Sequence, residues 1–271
     1  MRQALAALAC AAAAAAGPGC DAGTKYIGAD NPAAADCNRK PAPPPAGMGA
    51  DPFYQKYLDG QGIPVLASAR VTDEALTSAC IIVVRMLAAR DDVRRAMIDA
   101  RIHVAVLARD EVTTDIPEYS DLYRAFPNTD WNALRGLGAT TARPVSSCGE
   151  ENLLCAGNDA YHGENILVQT MSYALRIGID ATDAAFEQRL ATTYSTAMAA
   201  GLWARTYAQT NTELYFTEGV QDWFDANSQA SPPNGRQNEI NTRTELMVYD
   251  PGLASLVGDY LPHDGWRARC P

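Results

Sequence analysis

Histidine is almost missing from this chain: His103, His162 and His263 are the only three in 271 residues. None of them stands four residues from another, so two imidazoles cannot reach one ion from a single helical face. Basic residues are also in deficit, with Lys plus Arg at 22 against 32 Asp plus Glu and a net charge of -10. With no basic run anywhere, a phosphate-tracking surface is excluded and nucleic acid is not an expected partner. Beyond the N-terminal leader no uninterrupted apolar stretch approaches the ~18 residues that a membrane span needs, so no transmembrane segment is expected. G-x-S-x-G, P-loop and paired-cysteine metal-knuckle patterns are absent as well.

What is present begins with MRQALAALACAAAAAAGPGC. One early positive charge (Arg2), an Ala-rich apolar stretch and small residues after it have the anatomy of a signal peptide over residues 1–19, which implies export to a secreted or periplasmic location. Cys20 follows small residues but lacks the aliphatic residue expected three places upstream, so lipoprotein anchoring is the minor alternative to simple cleavage. Residues 20–52 are rich in Ala, Pro, Gly and Asp and poor in large apolar side chains, which predicts a disordered tether. The folded domain is then expected over 53–271, where 47% apolar content across the chain supplies a core. Without the leader six cysteines remain, an even number that suggests disulfides in an oxidising compartment. Cys148 and Cys155 flank the short run GEENLL and are the expected pair; Cys80, inside an apolar helical run, could equally be a buried free thiol.

Within the domain, Gly62–Ser68 and Ile102–Leu107 read as short strands, and Arg135–Thr141 as an edge strand beside a groove. Thr72 is a predicted N-cap, followed by Asp73 and Glu74 in the first helical turn and apolar residues at helical spacing. A second helix is predicted over Asp91–Ala100. Further helices are expected over Gly163–Ile177, ended by a helix-breaking Gly178, then Thr182–Ala200 and Asn211–Ala226, with Thr182 and Asn211 as N-caps. Two short helices split at Asp250 and Pro251 complete the chain. Strands first and helices afterwards define an α+β fold.

The run SSCGEENLLCAGNDAYHGENILV, the helix after it, and NTELYFTEGVQDWFDAN together resemble a group of secreted zincin-type metallopeptidase-like proteins. That group is related at its catalytic domain to the anthrax lethal factor peptidase. The resemblance extends from about Phe53 to Leu261 and implies a zincin-like fold: a small N-terminal mixed sheet with helices, then a mainly helical C-terminal half. In such relatives the segment after GENILV carries His-Glu-x-x-His, and a Glu on a later helix is the third zinc ligand. Here the three motif positions are Gln169, Thr170 and Tyr173, and Glu218 is the one ligand position that keeps a competent residue.

Residues 169 and 173 lie one above the other on a helical face, the arrangement by which two ligands share an ion. A hydrolytic zinc site needs three protein ligands and an open fourth position. A neutral Gln oxygen is a poor zinc donor, Tyr would have to ionise from a pKa of ~10, and Thr cannot act as general base near neutral pH. No cofactor is therefore expected, zinc belonging to intact relatives. Gln169, Tyr173 and Glu218 are expected to form a polar cluster in place of the metal, and Tyr215 would be either an oxyanion donor facing the same pocket or an aromatic packing residue. The three histidines are expected in structural or solvent roles. Glu150, Glu151 and Asp159 are read as solvated, with calcium binding as the lesser alternative.

These observations lead to a secreted pseudo-metallopeptidase that retains a peptide-binding groove, its partner a peptide or protein and its oligomeric state open. An active metal-dependent hydrolase built on Glu218, and a structural envelope or matrix protein with a vestigial groove, are the alternatives.

Overall fold

The computed structural model describes residues 36–268. The leader, Cys20 and Cys270 lie outside the described residues. Four strands form one mixed sheet in the order β1 (Lys56–Gly60), β2 (Ile63–Ala67), β3 (His103–Leu107) and β4 (Val145–Gly149). β1 and β2 are an antiparallel hairpin, whereas β2, β3 and β4 run parallel. The hairpin turns on Gln61 and Gly62, both with positive φ, which is the two-residue geometry that follows the twist of the flanking strands. Apart from its first residue β3 is buried throughout, as expected of a strand covered on both faces.

One sheet face is covered by α1 (Asp73–Met86) and α2 (Asp91–Asp99). Thr72 caps α1 as predicted, its hydroxyl accepting from the Ala75 amide at 3.3 Å. The other face carries a smaller core of Tyr54, Leu66, Leu107, Tyr119, Trp131 and Leu137, covered by short turns and by α3 (Leu122–Ala125). After α4 (Glu150–Leu153) the chain is helical: α5 (Ile166–Thr182), α6 (Phe186–Ala199), α7 (Thr212–Trp223), α8 (Arg243–Tyr249) and α9 (Pro251–Gly258). This is the expected α+β layout. No helix among the described residues is long and apolar enough to cross a membrane.

Several expectations are corrected. Gly178 does not break α5; it lies inside the helix, where a Cβ would stand 2.6 Å from Met97 Cγ and 2.8 Å from the Val93 carbonyl, so its missing side chain lets α5 press onto α2. Thr182 is the last residue of α5 rather than the N-cap of α6, and its hydroxyl bonds back to the Gly178 carbonyl at 2.9 Å. Residues Arg135–Thr141 form no ladder strand; the segment is joined to β4 only where the Ser147 amide donates to the Leu137 carbonyl at 2.9 Å and the Leu137 amide to Ser147 Oγ at 3.0 Å.

Residues 36–52 are held against the domain. Cys37 is buried and disulfide-bonded to Cys80, and the Tyr57 amide donates to the Ala42 carbonyl at 2.8 Å, laying the segment along β1. Cys148 is a buried free thiol and Cys155 is disulfide-bonded, so the expected Cys148–Cys155 bridge is not formed. Short spacing made that pair attractive, yet Cys148 sits on β4, buried with its strand, while Cys155 follows α4 with a positive φ.

Candidate functional site

Asn165 opens α5, its side-chain oxygen accepting from the Val168 amide at 3.1 Å, and this fixes which residues of the helix face inward. Gln169, Thr170 and Tyr173 are all buried. Thr170 turns its hydroxyl back to the Leu167 carbonyl at 3.3 Å, and its own carbonyl accepts from Ser146 Oγ on β4 at 2.8 Å. Tyr173 packs its ring onto the 135–139 segment: a Cβ at Gly138 would lie 2.5 Å from the ring. The α5 and α7 helices meet at the hydroxyls of Ser172 and Thr217, 2.9 Å apart.

On α7, Asn211 is the predicted N-cap, accepting from the Leu214 amide at 2.8 Å. Glu218 and Asp222 follow one turn apart inside the protein, not on a solvated face. The donor that serves them lies beyond the end of α7. Asn227 donates its side-chain amide to Glu218 Oε2 at 2.7 Å and to Asp222 Oδ1 at 2.9 Å. The second Asp222 oxygen and both polar atoms of the Gln221 carboxamide are buried without a partner among the described residues.

Burial is the main electrostatic influence here. It pushes the Glu218 carboxyl up to about 8, against the lowering effect of the Asn227 bond, with Glu164 adding to the rise and Arg236 opposing it. Asp222 is raised well above the ordinary carboxylate range by burial first and by Glu218 next. Glu164, in the loop before α5, is raised by burial as well; it accepts from Ser228 Oγ at 2.9 Å and from the Gln237 amide at 2.8 Å, with Arg236 3.5 Å away.

Tyr215 does not serve this site. It is fully buried and its hydroxyl donates to Asp250 Oδ2 at 2.6 Å, an oxygen shared with the Trp203 indole at 2.9 Å, so it joins α7 to the N-terminus of α9. The loop carboxylates are equally committed, and none of them is solvated. Glu150 accepts from the Thr72 amide at 2.9 Å and the Arg109 amide at 3.2 Å; Glu151 takes Arg135 in two bonds of 2.6 and 2.9 Å; Asp159 accepts from Asn152 at 2.7 Å and the Tyr161 amide at 3.0 Å. Arg135 also donates to the carbonyls of Ala108 and Glu111, which clamps the start of the 135–139 segment.

The histidines stand apart from one another. His103 meets Glu118 at 2.9 Å near Tyr54, His263 stacks its edge on Trp223, and His162 is half-buried in the loop before α5. Among the described residues no three His, Cys, Asp or Glu side chains are grouped to hold a metal. At the positions where the resemblance would put zinc ligands, Gln169 and Tyr173 are poor donors for zinc and the Glu218 carboxyl group is bonded to an amide, so these residues do not fit the ion.

Comparison of the chain with protein-family models, with curated proteins and with solved structures finds no match.

Proposed function

We propose that this chain is an exported zincin-type pseudo-metallopeptidase that has lost zinc and general base and retains a groove for an extended peptide or protein segment. What supports this reading is the resemblance, which sets Gln169 and Tyr173 at two zinc-ligand positions and Thr170 at the general-base position of α5, and leaves at the third ligand position a Glu218 whose carboxyl group is bonded to Asn227. The groove is argued from the 135–139 segment. Leu137 turns its backbone groups to Ser147, and successive residues of an extended chain turn theirs to opposite sides, so Gly136 and Gly138 offer theirs to an added strand. Both glycines are partly exposed.

Metal analysis of the purified chain, followed by cleavage of a mixed peptide library with and without chelator, tests the loss of chemistry. The expected result is no stoichiometric zinc and no chelator-sensitive cleavage; one tightly held zinc with such cleavage would restore the hydrolase reading. One observation favours a structural envelope or matrix role instead. The Tyr173 ring lies directly on Gly138 and fills space beside the segment. Retention of extended peptides by the immobilised chain supports the groove, and no retention of any peptide supports the structural role.

A further inference from the structure

The geometry points to Asn227 as the positioning residue of the metal-free site, its amide doing for two buried carboxyl groups what a cation does where carboxylates converge. The argument begins with what α7 imposes. Glu218 and Asp222 are four residues apart, so their side chains leave the same helical face and come together wherever that face is buried. Acceptors brought together out of water need a shared positive partner or shared donor hydrogens. A primary amide carries two such hydrogens, and Asn227 places one toward each carboxyl group, at 2.7 and 2.9 Å.

The position of Asn227 is itself fixed. Its carbonyl oxygen accepts from the Ser228 amide at 3.0 Å, its backbone carbonyl accepts from Asn241 at 3.3 Å, and the adjacent Ala226 carbonyl accepts from the Asn165 amide that starts α5 at 2.8 Å. The same short loop thus ties the end of α7 to the start of α5, the two helices that carry the former ligand positions. Asp222 has no other hydrogen bond to its second oxygen among the described residues, so the amide is its one side-chain donor there. The proposal takes its meaning from the metal-free reading of Glu218, while its geometry stands without it.

The test exchanges donor and acceptor. In Asn227→Asp both donated hydrogens are lost and a third carboxyl group is added to the pair. The full-length variant is expected to melt about 5–10 °C below the parent chain in chelator, from the loss of two buried bonds. Added Ca²⁺ is expected to recover part of that loss in the variant and to leave the parent unmoved, because three carboxylates make a hard-cation site where two and an amide do not. The swapped variant Asp222→Asn with Asn227→Asp puts the amide back on the other side of the pair, and is expected to regain at least half of the lost melting temperature without cation. An unshifted Asn227→Asp protein overturns the proposal. So does a swapped variant that fails to fold or melts no higher than Asn227→Asp, or a Ca²⁺ shift as large in the parent. Zinc found in the parent chain would sink the metal-free reading and leave the swap result intact, so the two failures are distinguishable.

Discussion

Glu218 shows how one residue's surroundings set its behaviour. Its carboxyl is raised to about 8 with burial as the first cause, whereas in an unfolded chain it would titrate near the usual ~4.3. The folded protein therefore keeps a proton that the unfolded chain releases. Stability from this group is complete below about pH 4.3, declines as pH rises, and is lost through about pH 8, a change on the order of a few kcal/mol. Asp222 is raised as well and slopes the same way. Denaturant unfolding of the parent chain from pH 5 to 9 should show this decline, and Glu218→Gln should flatten it in part, leaving the share that Asp222 contributes. An unchanged slope in Glu218→Gln would mean that Glu218 does not hold its proton. The identity of the acid was legible in the sequence and its environment was not. Helical spacing puts Asp222 beside Glu218, but Asn227 reaches both only because α7 ends and the chain turns back, a turn that spacing does not encode.

Glycines decide much at the level of elements. Gly138 has an ordinary φ, so alanine there meets no backbone penalty and tests one contact alone: a Cβ lying 2.5 Å from the Tyr173 ring. Gly138→Ala is expected to cost about 1–3 kcal/mol, the range for overpacking a filled interior. Adding Tyr173→Leu should return part of that cost, so that the double variant is less destabilised than the sum of the two single ones. Strict additivity, measured by denaturant unfolding, would place the ring elsewhere. The same kind of contact explains a misreading. Gly178 reads as a helix breaker because glycine is a poor helix former, yet packing of α5 on α2 outweighs a propensity cost of ~1 kcal/mol. Caps were more legible: Thr72 and Asn211 each bond an amide three residues on, an interaction confined to neighbouring residues. Thr182 was misread because a threonine after a helical run can equally bond back into its own last turn.

For the molecule as a whole, the Cys37–Cys80 bridge is a long-range tie. It joins residues 43 apart in sequence and fastens the Pro-rich approach segment to α1. Closing a loop of that length restricts the unfolded chain, and Cys37→Ser should lower the unfolding free energy by about 3–4 kcal/mol under non-reducing conditions. A loss well below 1 kcal/mol would show that the segment is held by its other contacts.

By itself the sequence determined what depends on neighbours along the chain: an α+β order of elements, the starts of several helices, and a net charge of -10. The tertiary structure decided what depends on residues far apart: that Cys80 bonds Cys37 rather than remaining free, that Tyr215 turns to Asp250, that Glu150, Glu151 and Asp159 are already partnered, and that Asn227 stands between two acids. Local hydrogen bonds and helical periodicity repeat within a few residues and can be read in order. The partner of a buried polar group is chosen by how whole elements pack, and that choice exists only once the core has closed.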